Sequence, residues 1–199
     1  MKASYENSVG LKWGVNALLV VAALLATGAG VTIALRHGSA SVPAQQKSAA
    51  ALFEHTFSDA DGKPQALAQW KGRWLLVNFW ATWCAPCVEE MPDLQRVHDE
   101  YRGGDLSVVG LAIDNPSAVK RFRDSLQLQL PLLIAGASGT ELARQLGNTS
   151  GALPYTVLVD QSGTIVQSKL GQLRDPELRS WLSKHVGKPV KAPAAVIPR

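Results

Sequence analysis

The chain has two cysteines, Cys84 and Cys87, set three positions apart where a buried-strand pattern breaks into a helical one. Leu75-Leu76-Val77-Asn78-Phe79-Trp80 is almost continuously apolar, as suits a strand covered on both faces of an α/β sheet. Beyond the second cysteine, Val88 to Leu94 begins a helical pattern. This junction delivers Cys84 to a helix N-terminus, where unsatisfied N–H groups and the helix dipole favour thiolate over thiol. Cys87 lies one turn on, and Pro86 is tolerated because first-turn amides have no intrahelical partner. Cys84 is therefore read as the attacking thiol and Cys87 as the thiol that resolves a mixed disulfide.

Other uses of a Cys-x-x-Cys pair fit less well. A closed zinc site needs four ligands, and His37, His55, His98 and His185 are scattered without ligand spacing. A purely structural disulfide closing so short a loop gains little from the entropy of closure. No metal and no cofactor is expected.

The segment Phe79-Trp80-Ala81-Thr82-Trp83-Cys84-Ala85-Pro86-Cys87 resembles the active-site segment of the thioredoxin superfamily, and within it the membrane-anchored TlpA/ResA/CcmG-like thiol–disulfide oxidoreductases. The similarity runs from about Phe57 to about Trp181. Pro92 falls where thioredoxin helices carry a kinking proline, and Leu153-Pro154-Tyr155-Thr156 resembles the family's cis-proline loop. The resemblance implies a thioredoxin-like α/β fold, a central mixed β-sheet flanked by helices, with a TlpA/ResA-type central insertion. It also implies a redox-active Cys84–Cys87 disulfide and a cis Leu153–Pro154 bond that packs against the cysteines. Trp83, Pro86, Leu153 and Pro154 would then form the rim on which an extended substrate pairs as an added strand.

Asn78 departs from thioredoxins proper, which carry a buried acid six residues before the first cysteine. An amide cannot take a proton at ordinary pH. Glu90 is the replacement: three residues after Cys87, it lies on the same side of the helix one turn deeper. A partly buried carboxylate there would have a raised pKa suited to moving a proton, a role the ResA-like group gives to a glutamate at this offset. Without that resemblance Glu90 reads as an ordinary first-turn glutamate. Glu89 faces elsewhere and is read as solvated.

Residues 13–35, WGVNALLVVAALLATGAGVTIAL, carry no charge and are long enough to span a bilayer as a helix. A cleaved signal peptide is the alternative, but its apolar core is usually shorter. Flanking charges hardly discriminate orientation, so the resemblance places the catalytic domain in the periplasm of a bacterial inner membrane. The expected organisation is a cytoplasmic N-terminus over 1–12, an anchor over 13–35 and a tether over 36–51. A thioredoxin-like domain over 52–186 and a disordered, Pro-rich tail over 187–199 complete it. Although the sequence pI is about 9.2, residues 51–199 carry 16 basic and 15 acidic side chains, so no nucleic-acid partner is expected.

Down the chain, the pattern predicts an Asp-Gly turn into a short edge strand near Lys63-Pro64 and a helix from the cysteines to Tyr101. Leu106–Ile113 reads as a strand and Ser117–Leu126 as a helix with a solvated basic face. Leu130–Ile134 is a short strand, Gly139–Leu146 a helix, and Tyr155–Asp160 with Thr164–Ser168 a closing hairpin. The last helix runs from Asp175 to Lys184 with Asp175 as its N-cap. Asp114, at a strand end, could line the active-site rim but is read first as a cap or turn residue, and His98 is read as a surface side chain.

The implied reaction is reduction of client disulfides. Clients would be apocytochrome c or a copper-site protein of cytochrome oxidase, and a membrane electron-donor protein would restore the dithiol. An oxidase or isomerase would use the same residues in reverse, but Ala85-Pro86 offers no histidine to stabilise the thiolate. A peroxiredoxin-like peroxidase would want Pro and Thr where Val77 and Ala81 stand, and a copper-binding module a wider cysteine spacing.

Overall fold

The computed structural model of the chain describes residues 47–189. Among them no helix is long and apolar enough to cross a membrane. The predicted span over 13–35, the tether before residue 47 and the tail after residue 189 lie outside the described residues.

One mixed sheet of seven strands organises the domain, in the order β2-β1-β5-β4-β3-β6-β7. Its strands are β1 (Thr56–Asp59), β2 (Pro64–Ala66), β3 (Trp74–Trp80), β4 (Leu106–Ala112), β5 (Leu132–Ile134), β6 (Tyr155–Val159) and β7 (Ile165–Leu170). The helices are α1 (Ala85–Glu100), α2 (Pro116–Leu126), α3 (Gly136–Gln145) and α4 (Asp175–His185). The apolar run becomes β3, which pairs parallel to β4 and antiparallel to β6 and is buried from Leu75 to Trp80.

Side chains alternate across a strand, so β3 divides its residues between two cores. Leu76 and Trp80 pack with Met91, Leu94 and Val97 of α1 and Leu178 and Trp181 of α4. Leu75, Val77 and Phe79 pack on the opposite face with Leu142 and Leu146 of the α3 region. Burying each such side chain contributes about 1.5–3 kcal/mol. Asn78 has the parity of Leu76 and Trp80, so it enters the face covered by α1.

The domain begins earlier than residue 52. Ser48 pairs with Thr164, Ala49 N–H donates to Gly163 O, and Ala49 is fully buried, so the tether expected over 36–51 ends before these residues. The tail also starts tied down, since Tyr101 OH donates to Gly187 O at 2.8 Å. In the region expected as an insertion, α2 leads to β5, which lies between β4 and β1. The basic face of α2 is not simply solvated, because Lys120 and Arg123 pair with Asp61 and Asp124.

Three smaller readings change. The α4 N-cap is Arg174, without a side-chain cap, and Asp175 lies inside the helix pairing with Arg179 at 3.2 Å. Asn115, not Asp114, caps α2 by accepting from Ala118 N–H. His98 is half-buried rather than a surface group, and burial lowers its pKa.

Candidate active site

The junction between β3 and α1 forms the site. Cys84 is the N-cap residue of α1 in extended conformation, and its carbonyl accepts the first helical bond from Val88 N–H at 3.1 Å. Cys87 lies in the first turn, and the two sulfurs are joined in a disulfide. Cys84 keeps 7% of its surface exposed and Cys87 none, so Cys84 is the more open of the pair.

The expected rim residues divide by exposure. Trp83 is 69% exposed and Pro86 is exposed, Leu153 is half-buried and Pro154 is buried. The Leu153–Pro154 peptide is cis. Asn148 braces the loop that leads to it: its Nδ2 donates to Ala152 O at 2.8 Å, and its Oδ1 accepts from Gly151 N–H and Ser150 Oγ at 3.1 Å.

Beneath the cysteines α1 buries Cys87, Glu90, Met91, Leu94 and Val97. Spacings of three and four put these on one face, so the carboxyl of Glu90 enters the core with its apolar neighbours. Glu90 is 1% exposed. Its Oε1 accepts from Asn78 Nδ2 at 2.6 Å, and its Oε2 accepts from Leu173 N–H at 2.7 Å. Burial pushes its pKa up from 4.5 to about 7, although the Leu173 and Asn78 hydrogen bonds and the charge of Lys169 pull the other way. Lys169 is itself paired with Glu177. Glu89 is exposed and accepts from Gln172 Nε2 at 3.2 Å.

Three further residues complete the site, of which the sequence offers only Asp114, for the rim. Thr156, fully buried on β6, accepts from Asn78 Nδ2 at 3.0 Å. Asp114 holds Thr82, two residues before Cys84, and Leu173 supplies a backbone donor to Glu90. Strand register carries the first two. Asn78 is the direct partner of Thr156, and Trp80 pairs with Ala112, which brings Asp114 beside Thr82. Among the described residues no cluster of three or more His, Cys, Asp or Glu side chains could hold a metal ion.

Residues 47–168 match the AhpC/TSA family. The thiol-disulfide oxidoreductase ResA of a Bacillus cereus strain is 33% identical over 129 residues, covering 64% of this chain and 72% of that protein. ResA of Geobacillus thermodenitrificans is 26% identical over 132 residues, covering 65% and 72%. Among solved structures, a thioredoxin-family thiol:disulfide interchange protein from Chlorobium tepidum TLS aligns with a TM-score of 0.58 at 27% identity, covering 67% of this chain and 93% of its own. StoA from Bacillus subtilis, at 21% identity, a TM-score of 0.52 and coverage of 64% and 94%, shares the fold.

A thioredoxin-like sheet, a Cys84–Cys87 disulfide at a helix N-terminus and relatives of this kind define a thiol–disulfide oxidoreductase. The chain belongs to the AhpC/TSA family.

Proposed function

We propose that this chain is a membrane-tethered, periplasmic reductant of client-protein disulfides. The observation that carries the chemistry is the stacking of Cys84, Cys87 and Glu90 along α1, the first cysteine slightly exposed, the second fully buried and a carboxyl with a raised pKa buried one turn deeper. In the dithiol form, the Cys84 thiolate attacks one sulfur of a client disulfide and the other client sulfur leaves as thiolate. Cys87 then gives its proton to the Glu90 carboxylate and attacks Cys84 Sγ, expelling the second client sulfur. Glu90 returns the proton to a leaving thiolate. Two electrons pass to the client, and the enzyme is left with the disulfide seen in the structure.

In this reading the exposed Trp83 and Pro86, with Leu153 and Pro154 of the cis-proline loop, form the apolar rim on which the client segment docks. Residues 13–35 supply the tether to the inner membrane. A disulfide accumulating after each turnover requires an electron-donor protein, which in this reading sits in the same membrane. Apocytochrome c or a copper-site protein of cytochrome oxidase is the class of client.

Reductant and oxidant share every residue named, so the reduction potential of the Cys84–Cys87 couple is the test. Equilibrated against glutathione, the full-length chain is expected at or below about −270 mV, the value of thioredoxin. A potential near about −120 mV, that of DsbA, would reverse the direction of electron flow and overturn the reductant reading.

A further inference from the structure

We propose that Asn78 is the positioning residue that serves Glu90 in both of its charge states, its side-chain amide turning over as the carboxyl gains and loses a proton. The inference rests on Glu90 acting as the proton acceptor and adds the group that makes its two states interchangeable.

The geometry accommodates both states. Asn78 is fully buried on β3 directly opposite Thr156, and its Nδ2 lies 2.6 Å from Glu90 Oε1 and 3.0 Å from Thr156 Oγ1. Its Oδ1 is buried with no partner among the described residues. With Glu90 charged, Nδ2 donates to the carboxylate and the Leu173 N–H donates to its other oxygen. An amide has a donor at one end and an acceptor at the other, and a half-turn exchanges them without moving their neighbours. After that half-turn Oδ1 faces Glu90 and Thr156, so a protonated Glu90 donates its O–H to Oδ1, and the Thr156 hydroxyl donates to it as well. The 2.6 Å separation lies within the O–H···O range and just short of the N–H···O range, so a protonated Glu90 fits it directly and the carboxylate form fits it after a shift of about 0.1 Å or more.

In each orientation one end of the amide stays unpaired, so both states carry a cost of this kind. Aspartate at position 78 would face Glu90 with a second negative charge, and leucine would leave the carboxyl with the Leu173 N–H alone. The charged groups around Glu90 oppose one another: Lys169 on β7, paired with Glu177 on α4, favours the anion, and Asp93 on α1 disfavours it. The adaptable contact is therefore the amide. It lets Glu90 take the Cys87 proton and release it without either state being stranded in the core.

The full-length chain, labelled with ¹³C at glutamate carboxyls and ¹⁵N at asparagine side chains, gives a direct test by NMR titration. The Glu90 carboxyl carbon and the Asn78 side-chain amide protons are expected to titrate with one shared midpoint, and Glu90→Gln to flatten the Asn78 response. Asn78→Leu should raise the Glu90 midpoint by about one pH unit, because the anion loses a stronger hydrogen bond than the neutral acid does. Asn78→Asp, nearly isosteric and informative even where the leucine variant does not fold, should split the titration into two steps on either side of the wild-type midpoint. An Asn78 amide that stays flat while Glu90 titrates overturns the inference, as does a Glu90 midpoint unmoved by Asn78→Asp. The proton-acceptor reading fails by a different result, a pH profile of disulfide exchange that Glu90→Gln leaves unchanged.

Discussion

The Asp114 carboxylate at the end of β4 accepts two hydrogen bonds from Thr82, from its backbone N–H at 2.9 Å and from its hydroxyl at 2.6 Å. Thr82 stands between the last residue of β3 and Cys84, so this clamp fixes the turn that carries the attacking sulfur. Burial alone would push the Asp114 carboxyl up, but bonds from Thr82 and Asn115 outweigh it and hold its pKa below 3.8. Its contribution to stability is therefore present above the ordinary Asp range and lost as pH falls through the folded value. Asp114→Ala should cost about 1–3 kcal/mol at pH 7 and slow disulfide exchange, with the deficit against wild type shrinking in acid. Denaturant unfolding at pH 7 and pH 3, beside exchange rates, checks both; an unaltered exchange rate would remove the positioning role.

Glu90 makes the opposite prediction. Its folded pKa of about 7 lies above the ordinary value of 4.5, so the folded chain binds the extra proton between these limits. Stability falls as pH rises through that window and levels off above it. Glu90→Gln imitates the protonated carboxyl and escapes the penalty. The stability of the variant relative to wild type should rise by about 2–3 kcal/mol between pH 5 and pH 8. Equal pH dependence of the two proteins in urea would mean that Glu90 is charged in the folded state across the whole range.

Local patterns made the centre of this molecule legible. The strand Trp74–Trp80, the helix beginning at the cysteines, the hairpin ending the sheet and the inward placement of Glu90 each depend on residues a few positions apart. What the sequence hid is what the sheet brings together from afar. Asn78, Glu90, Thr156 and Leu173 meet in one buried cluster, although the chain between the first and the last is half the molecule. Nothing in the spacing of Thr156 distinguishes it from any β-propensity residue until β3 and β6 are in register. The early start of the domain was hidden for the same reason: the burial of Ala49 depends on a pairing with residues 163–165. Asp175 looked like a helix cap because Pro176 follows it, but two arginines, Arg179 and Arg96, draw its carboxylate along the helix surface instead.

Asn148 tests how far the rim depends on its brace. Its side chain is buried and satisfied at both ends by the loop that leads to Leu153–Pro154. Asn148→Ala leaves Ala152 O and Gly151 N–H without these partners, at a cost of about 1–3 kcal/mol. Protein clients should suffer more than a small disulfide such as oxidised glutathione, which needs only the sulfur of Cys84. Comparing exchange rates with the two substrates separates the effects; an equal loss on both would place the damage at the cysteines rather than at the rim.

The unequal exposure of Cys84 and Cys87 supports the proposed order in which they act. Cys84 retains 7% of its surface and Cys87 none, so in the proposed mechanism a client disulfide meets the first. Cys87→Ser should leave the attack intact and remove the step that releases the client, so that a mixed disulfide between Cys84 and the client accumulates. Cys84→Ser should form none, because the remaining thiol is fully buried and lies further from the positive end of the α1 dipole. Non-reducing electrophoresis of the full-length variants after incubation with a disulfide-bonded protein, followed by mass spectrometry of the cross-linked band, distinguishes the two. Equal trapping by both variants would show that Cys87 becomes accessible during the reaction, and the fixed order of attack and resolution would have to be abandoned.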